Sequence, residues 1–391
     1  MIRNLAVLAL ILMNTSLQAQ VVRDLNFRYR YNPDEVVTLN WDVVKENNGY
    51  KIFYDAHLND SSRFKKITIQ FETRESVNDK TGNVITGNQN VLAETKSYVS
   101  GSQSFVGSAN QLIIVAKVVA ADLKKTSMQF FFYKYLSHAP AIYGSVNNRP
   151  ISDLFINQNE SVTFSGFEST RPLHVSFYKD AFPAAAPAFS TTQARVQKVL
   201  KPDSTFDVAS DEAFSFTQKG LFLVQQDTSS AQGVAFRVEA DYPKLGKLES
   251  LVGPLIYVCT KQEFEKLKAA GNEKKKFDQI ILSVTGNTER ARIFMRNYFR
   301  RVELANQYFS SYKEGWKTDR GMIYIIYGLP DQVFLFADRE VWEYKNDYVK
   351  DRFQFVRSAT IFDPQNYVLI REKNFMDDWY NMIDLWRKAR F

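Results

Sequence analysis

The chain has 391 residues, 45% hydrophobic and 24% charged, the balance of a globular protein of several domains and not of a disordered one. Gly and Pro number only 16 and 11, too few for long flexible linkers or collagen-like repeats, while an aromatic content of 14% favours strands. Three His and one Cys remove much of the usual catalytic and metal chemistry, and a net charge of +7 is too small for a nucleic-acid footprint.

The first element in chain order reads as a processing signal. Arg3 precedes an uninterrupted apolar stretch, Leu5–Met13, and Asn14–Ala19 ends in a small residue. This pattern predicts a signal peptide over 1–19, cleaved after Ala19; the alternative is a buried N-terminal helix or strand. The stretch is shorter than the roughly 20 apolar residues that cross a bilayer. The next best run, Ser250–Thr260, is bounded by Glu249 and Lys261 and is shorter still than a span. The expectation is a periplasmic or secreted chain that does not span the membrane after cleavage. Cys259 is too far from the signal to be a lipidation site. It is expected as a sequestered hydrophobe ending the strand LIYVC.

From Val21 to about Tyr135 the signals are strands: 25–31, 36–43, 50–56, 65–72, 111–120 and 128–135. Each is short and β-branched or aromatic, and each is bounded by Asn, Asp, Gly or Ser. A second β block, with strands at 160–167, 173–180, 212–217, 220–226 and 233–242, runs to about Tyr257. Phe182–Phe189 (FPAAAPAF) interrupts it as a long surface loop. Strands at this spacing, without helical periodicity between them, predict two tandem antiparallel β-sandwich (Ig-like) domains, over 20–140 and 141–259.

At Thr260 the period changes from 2 to 3.6. Helices are predicted over Lys261–Ala270, Asn272–Thr285 and from Asn287 or Thr288 to about Glu314, with Gly286 and Gly315 as stops. On the long helix Ala291, Phe294, Met295, Tyr298, Val302, Ala305, Tyr308, Phe309 and Tyr312 share an apolar arc of about 140°, and Arg292, Arg296 and Arg300 form a row opposite. That row reads as an anion-binding edge for acidic partners or envelope polymers, or as a solvated face neutralised by Glu289 and Glu303. A small antiparallel sheet follows, its strands at 322–328, 332–336, 340–344, 352–356 and 366–370. An amphipathic helix from Asn374 to Phe391 ends the chain. The fold class is thus multidomain and mainly β, with a C-terminal α+β domain over 260–391.

The segment Ala305–Asp331 (ANQYFSSYKEGWKTDRGMIYIIYGLPD) resembles the signature of the GWxTD-domain family of bacterial exported proteins, with Gly315, Trp316, Thr318 and Asp319 as the name-giving residues. The likeness extends through 236–267, 287–306 and EVWEY, about the last 150 residues. It implies an envelope setting and a C-terminal helix-plus-sheet domain, and supplies no reaction and no catalytic residues. The residues themselves read structurally. Gly315 is expected to end the long helix in a left-handed conformation, with Trp316 folding back on the helix's aromatic face. Thr318 and Asp319 are expected to cap backbone N–H groups, and Gly328, Pro330 and Asp331 to make a turn. The functional alternative is a charged site of Asp319, Arg320, Asp331 and Glu343. Arg301 falls inside the apolar arc, where an unpaired charge is costly, so a partner is expected in Asp319 or, failing that, Asp331.

His57, His138 and His174 lie in the β blocks outside any nucleophile context, and no zinc, calcium, P-loop or dinucleotide motif is present. No catalytic residue, metal or cofactor is assigned. The expected function is binding or scaffolding in the cell envelope, with protein partners and anionic envelope components as candidates and no nucleic acid. The alternative is a hydrolase or carbohydrate-processing enzyme using carboxylates of the C-terminal domain.

Overall fold

The computed structural model describes residues 21–390 apart from 88, 108–109, 123–126, 152–153, 180–181, 192–199, 211 and 347–348. The signal-peptide reading of 1–19 and the terminal Phe391 lie outside the described residues.

Eight strands fill 37–135: β1 (Val37–Glu46), β2 (Gly49–Leu58), β3 (Lys66–Arg74), β4 (Asn83–Val84), β5 (Gln89–Glu94), β6 (Tyr98–Phe105), β7 (Ile113–Ala121) and β8 (Ser127–Tyr135). They form two antiparallel four-stranded sheets, ordered β1-β2-β6-β5 and β4-β3-β7-β8. Alternate side chains such as Leu39, Trp41, Ile52, Tyr54, Ile67 and Phe71 meet in one core between them. Trp41 stacks on Phe71 across the sheets, with ring centroids 5.9 Å apart.

The second β region holds β9 (Tyr143–Val146), β10 (Arg149–Pro150), β11 (Phe155–Asn157), β12 (Ser161–Ser165), β13 (Leu173–Tyr178), β14 (Ser204–Val208), β15 (Phe214–Ser215), β16 (Gly220–Gln225) and β17 (Val234–Glu239). Their sheet orders are β10-β9-β12-β15 and β11-β17-β16-β13-β14. The pairing of β11 with β17 is parallel, a departure from the all-antiparallel expectation.

The C-terminal region begins with a short helix α1 (Leu248–Val252) and a 3-10 turn over Gly253–Tyr257, then α2 (Lys261–Ala270), α3 (Lys274–Thr285), α4 (Thr288–Phe309) and α5 (Asp319–Tyr327). Thr260 and Glu263 form a reciprocal capping box at the start of α2, and Gly286, at φ 87°, ends α3. A four-stranded antiparallel sheet follows, of β18 (Gln332–Leu335), β19 (Arg339–Glu343), β20 (Arg352–Arg357) and β21 (Tyr367–Leu369). Helix α6 (Met376–Arg387) closes the region. Among the described residues no helix is long and apolar enough to cross a membrane.

Several expectations are corrected. The segment 25–31 is not a strand: 3-10 turns at Val22–Asp24 and Arg28–Tyr31 carry it across the C-terminal sheet. There the Phe27 amide donates to Val333 O, and Asn26 bonds both Asp331 O and the Val333 amide. LIYVC is not a strand either, because Gly253–Tyr257 is helical. MIYIIYG is α5; Met322–Tyr327 is buried on every side, and a segment apolar all round has no period to read. Helix α4 stops at Phe309, short of Glu314. Phe182–Phe189 is not a surface loop, since Phe182, Ala185 and Ala188 are buried against the C-terminal region.

Phe27 is fully buried in the core of the C-terminal region, its amide bonded to the distant Val333 O and its ring 5.2 Å from that of Tyr133. Phe27→Ala should cost about 3–5 kcal/mol. Urea unfolding followed by tryptophan fluorescence should show the loss, because Trp316, Trp342, Trp379 and Trp386 all report on that core.

Candidate functional site

The motif is a turn between α4 and α5 whose own backbone is gripped by side chains of other segments. Asn306, fully buried on α4, accepts from the Trp316 amide at 3.0 Å and donates to Pro243 O at 2.9 Å. Tyr242 Oη accepts from the Gly315 amide, and Tyr257 Oη donates to Trp316 O. Gly315 starts a 3-10 turn and is not the left-handed helix stop. It is glycine because a Cβ there would lie 2.1 Å from Ala305 O. Gly321 is equally constrained, its Cβ position falling 1.9 Å from Gly315 O. Trp316 packs against Gly253 and Tyr257, in the same core as the aromatic face of the helix. Thr318 caps α5 as expected, accepting from the Gly321 amide and donating to Gly315 O.

Asp319 sits in the first turn of α5, where the helix dipole favours a carboxylate. It accepts from the Leu369 amide at 2.8 Å and pairs with Arg371 at 2.5 Å. Arg301 is not its partner. The Arg301 guanidinium reaches the opposite end of α5, donating to Ile325 O and Ile326 O at 3.2 Å, and lies 4.6 Å from the centre of the Trp386 ring. Terminal carbonyls and an aromatic face do the work assigned to a carboxylate, and burial lowers the arginine's pKa. Gly328, at φ 84°, ends α5, and a Cβ there would meet the Arg301 guanidinium at 3.0 Å. Pro330 O accepts from Arg28, and Asp331 bonds the Lys345 amide, so the turn is structural.

The alternative charged site does not assemble. Arg320 pairs with Glu340, which also accepts from Tyr31 and Trp342; Glu343 pairs with Lys345 and Arg352. Arg292, Arg296 and Arg300 lie on the exposed face of α4, with Glu289 beside Arg292 and Glu303 beside Arg300. His57 pairs with Asp55, His174 with Asp207 and His138 with Arg357. Among the described residues no group of His, Cys, Asp or Glu is arranged to hold a metal ion. Burial raises the Cys259 thiol to about 12, in keeping with a sequestered hydrophobe.

A cleft of about 270 Å³ opens beside the motif, between β17 and α1, with Trp316 and Glu314 in its wall and Glu239, Asp241, Lys244 and Lys247 around it. Burial acts to raise the Glu314 carboxyl, but Arg237 and Lys317 hold it below its ordinary value. Arg237 in turn pairs with Glu239 at 2.5 Å. The residues 182–189 cross the other side of the motif, where the Ala185 amide donates to Lys317 O and Arg371 donates to Ala186 O. Burial lowers the nearby Lys313 ammonium to about 8. Sequence reasoning missed Arg371 altogether, 52 residues beyond Asp319 and without a local signal. Tyr242, Tyr257 and Asn306 lay inside the stretch that carries the family likeness, but nothing in their spacing marked them.

The name-giving residues thus organise one interlocked core, and residues 220–388 match the GWxTD domain model. This part of the chain is a GWxTD domain. Its matched range begins at β16, so it takes in the last two strands of the second β region. No curated protein matches the chain significantly. Among solved structures, the titin fragment Titin-A168169 is 10% identical, covering 53% of this chain and 99% of that one at a TM-score of 0.18. DIP-gamma IG1+IG2 is 9% identical, covering 53% and 97%, also at 0.18. At these TM-scores neither likeness carries an argument.

Two outcomes test this geometry. Asp319→Asn and Arg371→Met should each destabilise the GWxTD domain by about 3–5 kcal/mol, as removal of one member of a buried pair does. They should couple in a double-mutant cycle, whereas Arg301→Met and Asp319→Asn should add independently. The second concerns Asp351, whose carboxyl is raised to about 6 by burial and by nearby Asp378 and Glu372. Because the folded value is the higher one, its contribution is full below pH 4 and is lost as pH rises through 6. Asp351→Asn should therefore raise stability at pH 8 by about 1 kcal/mol, discounted for half exposure. Urea midpoints measured from pH 4 to 8 would show it.

Proposed function

We propose that the chain is an exported cell-envelope protein that works by binding or scaffolding, with protein partners or anionic envelope polymers. The observation that carries the reading is that the three buried carboxylates among the described residues of the GWxTD domain, Asp319, Glu340 and Asp363, are bound in place. Asp319 is held by Arg371 and a backbone amide, Glu340 by Arg320, Tyr31 and Trp342, and Asp363 by Ser311 and the Gln365 amide. Hydrolysis by paired carboxylates needs two such groups facing a substrate. The first β region meanwhile offers β5, a sheet-edge strand exposed along its length with Val91 and Leu92 outward, the kind of edge that accepts a partner strand.

In this reading residues 1–19 are a signal peptide cleaved after Ala19, giving a periplasmic or secreted protein. Domains over 20–140 and 141–259 are Ig-like β-sandwiches, and 260–391 is the α+β unit. The paired sheets with shared cores support the sandwich assignment. The exposed arginine row Arg292, Arg296 and Arg300 is the candidate contact for anionic envelope components.

Purified chain incubated with isolated envelope polymer should release no soluble fragments. In cells, photocrosslinkers placed at Val91 and Leu92 should trap one discrete adduct that is lost when Ala93 and Val84 are changed to Lys. Fragment release that disappears in Glu239→Gln would replace this reading with hydrolysis.

A further inference from the structure

The segment FPAAAPAF at 182–189 is bound as a peptide ligand is bound. It has no regular secondary structure up to Pro187, yet Phe182, Ala185 and Ala188 are buried and the residues between them are not. Burial at every third position is the repeat of a polyproline II helix, and the segment's two prolines suit that conformation. Its backbone bonds go outward to the C-terminal region. Lys313 Nζ donates to Pro183 O, the Ala185 amide to Lys317 O at 3.0 Å, Arg371 Nη2 to Ala186 O at 3.1 Å, and the Glu372 amide to Ala188 O at 3.2 Å. An aromatic anchor closes each end. Phe182 meets Tyr312 edge-on at 5.0 Å, and Phe189 lies 5.4 Å from Tyr380 and 6.2 Å from Trp379.

Recognition of proline-rich peptides uses these parts: aromatic walls, small residues turned inward and donors aimed at exposed carbonyls. We propose that this surface of the GWxTD domain is a peptide groove, filled in the isolated chain by its own residues 182–189. Its partner ligand is an extended, uncharged, proline- and alanine-rich peptide with aromatic anchors seven residues apart. The absence of any charge on the bound segment sets that chemistry: Arg371 is already neutralised by Asp319, so the groove offers carbonyl recognition and not a site for a carboxylate. The inference deepens the binding reading above, but its test is independent of β5 and of any hydrolysis assay, so either can fail alone.

The full chain with 182–189 replaced by Gly and Ser should bind the synthetic peptide FPAAAPAF saturably by fluorescence anisotropy. It should bind at least tenfold more tightly than the unmodified chain, whose groove is occupied. A peptide of the same composition in scrambled order should bind at least tenfold more weakly, and FPAAAPAF should raise the thermal midpoint of the replaced variant alone. The double variant Phe182→Ser, Phe189→Ser keeps the backbone and serves if the replacement does not fold. Equal binding to variant and unmodified chain, no binding to either variant, or failure of both variants to fold would overturn the proposal. Concentration-dependent dimerisation of the unmodified chain that vanishes in the replaced variant would assign the groove to a second copy and overturn the partner peptide.

Discussion

Everything in the C-terminal region depends on three stretches of backbone lying in contact with no side chain between them. The end of α4, the turn at Gly315 and the start of α5 touch at Ala305 O, Gly315 and Gly321, where any Cβ would fall at about 2 Å. No flexible side chain can relieve a clash with a carbonyl oxygen, so glycine is required at both positions by space and not by dihedral angle. The approach also brings the amides and carbonyls of 315–317 into the interior. Buried backbone groups must be partnered, and Asn306, Tyr242, Tyr257 and Ala185 supply those partners from four other places in the chain.

That core then dictates the composition of strands far from it. Strand β7 sends Ile114, Ala116, Val118 and Ala120 into the first sheet pair's own core, and Ile113 and Val115 into the GWxTD core. Strand β16 divides in the same way, with Phe222 and Val224 inward and Leu221 and Leu223 toward Tyr312 and Phe362. A strand covered on both faces loses its alternation and reads as a continuous apolar run. The runs QLIIVAKVVA and GLFLV therefore record packing surfaces, one from each β region, against the helices and sheet of the C-terminal region.

This also explains what the sequence could and could not disclose. Most strands of the two β regions, helices α2 to α4 and the closing helix were legible because each has one buried and one solvated face, so its period survives; β7 and β16, covered on both faces, were legible only as short apolar runs rich in β-branched and aromatic residues. Of the arc on α4, Phe294, Tyr298, Val302, Ala305 and Phe309 are buried and Ala291, Met295 and Tyr308 half-buried, while Tyr312 lies beyond the end of the helix. Helix α5 was misread as a strand because it is covered on all sides. The segment 25–31 was misread because its apolar and basic residues alternate for a different reason: Phe27, just before the 3-10 turn Arg28–Tyr31, and Tyr31, at its end, both enter the C-terminal core. The motif's residues were legible as structural, yet their partners were not, because Arg371 and Pro243 reach them only through tertiary packing.

The arginines show how such a fully buried helix is kept in register. An apolar helix surrounded by apolar walls has little to stop it sliding by a turn or rotating, since one methyl-lined face resembles another. Helix α5 carries polar fixings at both ends. Asp319 at its N-terminus is pinned by Arg371 and the Leu369 amide. At its C-terminus the Ile325 and Ile326 carbonyls receive Arg301, and Ile326 O also accepts from Trp386 Nε1. Both charges have the sign that the helix dipole prefers, so neither opposes the helix it holds. The bonds come from α4, β21 with the residues just after it, and α6. A one-turn shift of α5 would therefore break contacts with three neighbours together, leaving a buried carboxylate at one end and a buried guanidinium at the other without their partners.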